Sequence, residues 1–341
     1  MQNNENFGAP DSSNEFRELS DILDSCKLLN PTQFNKAYTK KPLSDASKFS
    51  ILFNNIDGNA SNFDSFCAEV ASIDNKFSII ALAETNIDES HGPLYKMKGY
   101  NSVYQSRIGD KRKGSGLALY ISETLEYCIE QQFSNCSKHL EALFVTIKNI
   151  SQESLTFGVV YRPPSGNISI FLEELEQLLS LVPKNNVMIS GDFNIDLHKS
   201  GSSSEFENVV YGSGFIPSIS LATHAKLGCT PSCIDNILTN SYELISSSGV
   251  LKTQVSAHFP IFCHLDVEEL VSTKKSKVFP QYDMCQSNMD LFVQKFSRSF
   301  SNLQVFSNQV VPEETLFENF SGTLSKLVDE CFLVPEGQKT S

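Results

Sequence analysis

Two hydrophobic rhythms that alternate along the chain place it in the α/β class. Near-continuous apolar runs of strand length, as in 49–56 (FSILFNNI) and 77–87 (FSIIALAETNI), alternate with segments whose apolar residues recur at helical spacing, as in 168–181 (ISIFLEELEQLLSL). Uninterrupted apolar strands are the pattern of a sheet covered on both faces. A hydrophobic content of 40%, with 25 phenylalanines in 341 residues, suffices for one large domain with an appendage.

Residues 1–47 open polar (QNNENFGAPDSSNEF), carry a weak helical pattern through Phe16, Leu19, Ile22, Leu23 and Leu28, and end in a Lys-Lys-Pro linker. They read as a mostly disordered leader with one helix. The first strand, 49–56, runs into Asp57-Gly58, and a helix follows over 62–74 with Phe63, Phe66, Val70 and Ile73 on one face. The 77–87 strand delivers Glu84 directly after five apolar residues. A carboxylate that deep requires a partner or a cation, unless it sits at an exposed strand end. Residues 100–113 read as a loop in which Arg107, Lys111, Arg112 and Lys113 cluster. Strands follow at 114–122, 124–133, 140–148 and 155–164, the last placing Tyr161 and Arg162 before a Pro-Pro stop.

Beyond the amphipathic 168–181 helix, the strand 186–196 (NVMISGDFNID) stops at Gly191 and releases Asp192 and Asn194. At i and i+2 in extended chain they would face the same side, as would Asn55 and Asp57. Both pairs read equally as turns, which favour Gly, Asp and Asn. A short helix fits 206–211. The extended segment 230–240 starts at Thr230 and encloses Asp235 between Ile234 and Ile237, where an imidazole N–H would satisfy it. Strands at 247–255 and 259–267 flank Ser256-Ala257-His258. A lone histidine there is more often structural than catalytic, and the other five histidines carry no functional signal in their surroundings. From 268 a charged linker precedes helical patterns at 290–300 and 313–331.

A net charge of −13 disfavours nucleic-acid binding unless a metal cation or a local basic patch offsets it. Arg107–Lys113 is the densest such patch, although basic runs are usually solvated loops. Nine scattered cysteines without a CxxC suit free thiols in a reducing compartment, so no disulfide-linked partner is expected. His224, Cys229 and Cys233 come nearest to zinc-ligand spacing. Neither a signal peptide nor an apolar run of membrane-spanning length is present, so the expectation is a soluble intracellular protein without a membrane partner.

The ordered set Asn-x-Asp-Gly (55–58), Ala-Glu-Thr (83–85), Val-Tyr-Arg-Pro (160–163), Gly-Asp-Phe-Asn (191–194), Ile-Asp-Asn-Ile (234–237) and Ser-x-His-Phe-Pro (256–260) is specific in combination. Over roughly 49–267 it resembles the endonuclease/exonuclease/phosphatase superfamily, and within it the apurinic-type endonuclease domain of LINE-like (non-LTR) retrotransposons. The resemblance implies a four-layer αββα sandwich of two mixed sheets over 48–267, and a helical connector at 268–341 that would precede a reverse transcriptase. It implies Asp57 and Glu84 as ligands of Mg²⁺, with Mn²⁺ as the alternative, and Asn55 bonding within that site and to the scissile phosphate. It further implies Tyr161 on a phosphate oxygen, Asp192 as general base, Asn194 fixing water and phosphate, and Asp235 orienting a protonated His258. Arg162, Thr230, Ser256 and the basic loop would contact phosphate or DNA. The implied partners are DNA and a reverse transcriptase, with the nucleus as the place of action.

One residue departs from the pattern: the family usually has Asp where this chain has Ala257, and that carboxylate helps hold the metal. The expectation is weaker Mg²⁺ affinity with the fold intact. A catalytically inactive DNA-binding or interaction module, and a phosphatase or RNA nuclease of the same fold, are the alternative readings.

Overall fold

A computed structural model describes residues 26–38, 48–58, 60–74, 76–87, 92–106, 114–150, 153–199, 201–226, 228–253, 255–267, 286–301 and 313–332. In chain order the strands are β1 (Lys27–Leu29), β2 (Lys48–Asn55), β3 (Ile79–Ala83), β4 (Tyr100–Gln105), β5 (Leu117–Ser122), β6 (Tyr127–Ile129) and β7 (Asn135–Cys136). They continue as β8 (Glu141–Ile150), β9 (Glu153–Tyr161), β10 (Val187–Asp192), β11 (Ile216–Pro217), β12 (Asp235–Thr239), β13 (Ile245–Leu251) and β14 (Ile261–Asp266). The helices are α1 (Pro31–Tyr38), α2 (Ala60–Ala71), α3 (Ile168–Leu181), α4 (Ser202–Gly212), α5 (Gln286–Ser301) and α6 (Glu313–Phe332).

The strands form two mixed seven-stranded sheets, ordered β1-β13-β14-β2-β3-β5-β4 and β11-β12-β10-β9-β8-β6, with β7 also on β8. Strand alternation explains the layering. On β2 and β3, Ile51, Phe53, Ile79 and Ala81 face the inter-sheet core with Val145, Phe157, Val159 and Ile237 of the other sheet. Leu52, Ile80 and Leu82 face the opposite way, onto a layer with Phe63 and Phe66 of α2 and Phe34 of α1. On the far side, Phe144, Val160 and Ile189 pack against Phe171, Leu175 and Leu179 of α3 and Phe206 of α4. Four layers result, α/β/β/α, as the resemblance implied.

Two crossovers aim the strand ends. β2 and β3 are parallel and joined through α2; β9 and β10 are parallel and joined through α3. Their carboxyl ends open on one rim of the sandwich. Antiparallel β12 and β14 contribute their amino ends there. Across the second sheet the register aligns Glu141 with Tyr161, Tyr161 with Asp192, and Asp192 with Asp235. One lateral row of four strands thus carries four polar side chains to one rim. Gly191 is required within it: a Cβ there would run into the Val160 carbonyl of β9.

Three elements differ from the sequence expectation. Residues 100–105 form a strand, because Val103 anchors the edge of the first sheet while its neighbours stay partly exposed, a pattern that reads as loop. Only Tyr127–Ile129 of the 124–133 stretch is a strand, and 131–133 turn so that Phe133 can pack under α3. Within the stretch read as a leader, β1 pairs parallel with β13 and Phe34 of α1 is fully buried, edge-on to Phe262 and tilted against Phe77 and His264. The remainder of that leader lies outside the described residues. Helices α5 and α6 belong to a separate compact unit, where Phe292 packs on Phe296 and Phe332 and Lys295 pairs with Glu330 at 2.9 Å. No helix among the described residues is long and apolar enough to cross a membrane, and the eight described cysteines are free thiols.

Candidate active site

At the shared rim, Asn55 is the hub. Fully buried at the end of β2, it donates through one amide nitrogen to Glu84 Oε1 at 2.9 Å and to Asp192 Oδ2 at 2.8 Å. Two carboxylates from different sheets are thereby held on one N–H₂ group. Tyr161, buried on β9, donates its hydroxyl to the same Glu84 oxygen at 2.9 Å. Burial and then the Glu84 charge push the phenol well above its ordinary range, so it remains a neutral donor.

Asp192 has no solvent exposure. Its Oδ1 accepts the Asn194 backbone N–H at 2.9 Å, and its Oδ2 lies 3.3 Å from the Asn194 amide nitrogen. Burial, with the neighbouring Asp235 charge, raises its pKa well above the usual carboxylate range, against the opposing pull of His258 and Asn55. Asp235 is equally buried and takes the Thr223 hydroxyl at 2.6 Å. It holds His258 Nδ1 at 3.0 and 3.1 Å. Burial alone would lower the His258 pKa, but the charge and hydrogen bond of Asp235, backed by Asp192 and Glu84, push it up to about 9. The imidazolium form is therefore the resident one near neutrality.

The short i, i+2 pairs proved to be both turn and site. Asn55 Oδ1 accepts the Asp57 N–H at 2.9 Å, just as Asp192 accepts that of Asn194. Each second residue then turns into left-handed backbone, with φ near +50°. Asn194 keeps its amide on Asp192 and on the Arg162 carbonyl at 2.8 Å. Asp57 swings outward and is exposed, so the two residues do not share a face as extended chain would have it. Glu84 and Asn86 also have positive φ. Among the described residues, four of the six non-glycine residues with positive φ border this rim, and such strain persists where surrounding contacts impose it.

Two expected phosphate contacts have other work. Arg162 is buried and donates to the carbonyls of Phe193 (2.8 Å), Asn194 (2.7 Å), Gly166 (3.2 Å) and Pro163 (3.4 Å). Nε and Nη2 thus fasten the loop that carries Asn194, while Nη1 holds the turn at 163–166. Ser256 donates to the Asn55 carbonyl at 2.9 Å and accepts the His258 N–H at 3.1 Å, tying the His258 loop to β2. Thr230 is exposed, two residues before the Ser232 bridge to His224. Arg107, Lys111, Arg112 and Lys113 lie outside the described residues. The zinc-like trio does not assemble: the Cys233 thiol is buried against the Ile219 carbonyl, Cys229 is exposed, and His224 packs at a tilt on His258 with ring centroids 4.7 Å apart.

Sequence reading missed Glu141, Thr223 and Asn86, and gave His224 only a zinc-like spacing. Glu141 is buried and accepts the Gly116 N–H at 2.9 Å. Its signal was available, since an acid opening an apolar strand is as costly as Glu84. Thr223 and His224 sit in an irregular stretch whose bridges to Ser232 and His258 no local pattern announces.

The donors fit a hard divalent cation. Glu84 commits Oε1 to Asn55 and Tyr161, whereas Oε2 lies beside Gly114, close to where a side chain on that residue would begin. With the exposed Asp57 carboxylate on the adjoining turn, this supplies the one or two oxygens that Mg²⁺ takes alongside water. Asp192, Asp235 and His258 also lie close enough, within 4.8 Å, to surround an ion. A protonated His258 locked on Asp235 already supplies positive charge there, which leaves Glu84 the better ligand.

This architecture is the endonuclease/exonuclease/phosphatase fold. Among solved structures, the chain is similar to the endonuclease domain of TRAS1, a telomere-specific non-LTR retrotransposon, with TM-score 0.54 and 13% identity over 65% of this chain and 99% of that one. It is also similar to the AP endonuclease LMAP from Leishmania major, with TM-score 0.53 and 13% identity over 74% of this chain and 98% of that one. No protein-family model and no curated protein matches the sequence.

Proposed function

We propose that this chain is a divalent-cation-dependent phosphodiesterase that nicks DNA as the endonuclease of a non-LTR retrotransposon, acting in the nucleus. The nick would leave a 3′-hydroxyl from which an associated reverse transcriptase primes. The observation that carries the reading is the single rim where Asn55 holds Glu84 and Asp192 together, facing the Asp235–His258 pair. The likeness to a retrotransposon endonuclease domain supports the choice of DNA.

The residues divide the work. Asp192, with its pKa raised toward neutrality, accepts a proton from the attacking water, which Asn194 helps to orient. As the water oxygen bonds to phosphorus and the P–O3′ bond breaks, His258 donates a hydrogen bond to a non-bridging oxygen and balances its growing charge. Tyr161 holds Glu84 in place. A cation on Glu84 and Asp57, Mg²⁺ or Mn²⁺, would supply Lewis-acid stabilisation of the phosphate and the leaving alkoxide.

Ala257 favours a second reading, an impaired remnant that binds DNA without cutting it. Nicking of supercoiled plasmid distinguishes the two. Conversion to the open circle with Mg²⁺, lost in EDTA and in Asp192→Ala, is the expected outcome. DNA binding with no nicking at any Mg²⁺ or Mn²⁺ concentration would replace the enzyme reading with the remnant one.

A further inference from the structure

We infer that Asn86 is a positioning residue that sets the cation affinity of the rim by locking together the turns that carry Glu84 and Asp57; the inference rests on reading those two acids as the cation ligands. Asn86 is exposed, yet its side chain is tied on both sides. Its amide nitrogen donates to the Gly58 carbonyl at 3.0 Å, next to Asp57. Its Oδ1 accepts the N–H groups of Gly114 and Ser115 at 3.2 and 3.4 Å, and its own N–H donates to the Ser115 carbonyl at 2.8 Å.

The contacts form a closed circuit. Asn86 lies two residues after Glu84, Gly58 lies one after Asp57, and the 114–116 strap brings Gly114 beside Oε2 of Glu84. Gly116 is pinned from beneath by Glu141 and from the side by Thr85, whose N–H reaches the Gly116 carbonyl at 3.1 Å. Backbone conformation points the same way. Asn86, Gly58, Gly114 and Gly116 all have positive φ, and a Cβ at Gly58 would strike the Asn86 amide. A surface asparagine serving only as a turn residue would need none of these close approaches. Here it fixes how far apart two carboxylates stand, and a small cation demands that spacing closely.

The test exploits the backbone. Asn86→Gly removes the amide but suits the left-handed conformation, so the fold should survive. Binding of Mn²⁺ alone, read by electron paramagnetic resonance, should weaken about tenfold, as expected for a lost second-layer contact. The NMR titration of His258 should not move, which a general loosening of the fold would not permit. Gly58→Ala drives a methyl into the same amide; it should weaken Mn²⁺ in the wild-type background and do much less once Asn86 is glycine. Glu84→Gln separates the two levels of the argument. If it abolishes Mn²⁺ binding while Asn86→Gly binds as wild type, the inference fails and the cation site stands. If Glu84→Gln binds Mn²⁺ as well as wild type, the site assignment fails and takes the inference with it.

Discussion

Replacing Asp235 with asparagine should uncouple His258 from the chemistry without disturbing the sandwich. In the wild type the His258 pKa is lifted from 6.5 to about 9 even though burial opposes the lift. The pair lies at 3.0 Å with Asp235 fully buried, so little solvent screens it. Asparagine can still accept the Thr223 hydroxyl through Oδ1 and offer an N–H to the neutral imidazole Nδ1, so the packing is preserved. Without the Asp235 charge, the desolvation that remains should return His258 to 6.5 or below, a change of about 3 kcal/mol in favour of the neutral ring. Near pH 7.5 the imidazolium fraction would fall from nearly all to roughly one tenth, with nicking falling at least tenfold. The wild-type profile should rise as Asp192 deprotonates and fall as His258 deprotonates near pH 9; in the variant the alkaline limb moves to the acid side. Stability follows the same sign. Because the folded pKa lies above the unfolded one, the His258 contribution is fully present below pH 6.5 and is lost as pH rises through about 9, a slope the variant should lack. NMR titration of the His258 ring is the direct assay. A ring still titrating near 9 in Asp235→Asn would refute the pairing argument.

Three further outcomes can be checked. Arg162→Lys keeps the charge but cannot reach four carbonyls with one ammonium, so the urea midpoint should fall by the equivalent of about 2–4 kcal/mol; an unchanged midpoint would mean that the loop stands without it. Ala257→Asp should lower the Mg²⁺ concentration for half-maximal nicking about tenfold, and no gain at any Mg²⁺ level would show that the missing acid is immaterial. DNA affinity, measured by fluorescence anisotropy on an uncleaved duplex, should be higher in Ca²⁺ than in EDTA; equal affinity would mean that the rim does not need a cation to accept phosphate.

The core strands were legible because they are apolar on both faces, which only a sheet between two layers requires. The six motifs were legible because each ends such a strand or precedes one. What stayed hidden depends on neighbours far away in sequence. Glu141 and Asp192 share a lateral row only through the pairing of β8, β9 and β10, and no window on one strand contains that register. The role of Arg162 was misread for a similar reason: the carbonyls of Phe193 and Asn194 that it fastens belong to a turn about thirty residues on. Edge strand β4 and the 27–38 segment were missed because partial burial leaves half of their residues polar. A pattern-based reading takes such segments for loop or tail.

Under the proposed function, charge balance at the rim sets how so acidic a chain would meet DNA. Asp192, Asp235 and Glu141 are buried and Glu84 half-buried, against the cations of His258 and Arg162 at the same end of the sandwich. The Arg162 charge is turned toward backbone carbonyls, which leaves His258, among the described residues, as the cation facing the acids. Burial, and after it the nearby Asp235 charge, raises the Asp192 pKa above the usual carboxylate range. Such an arrangement costs stability in the resting protein, and a divalent cation on Glu84 would relieve it while reversing the local sign for a phosphodiester. The same deficit would make an approaching phosphate without a cation encounter net repulsion. Under the proposed function, dependence on metal is the expectation from four carboxylates gathered at one rim, three of them by strand register, before any step of the reaction is considered.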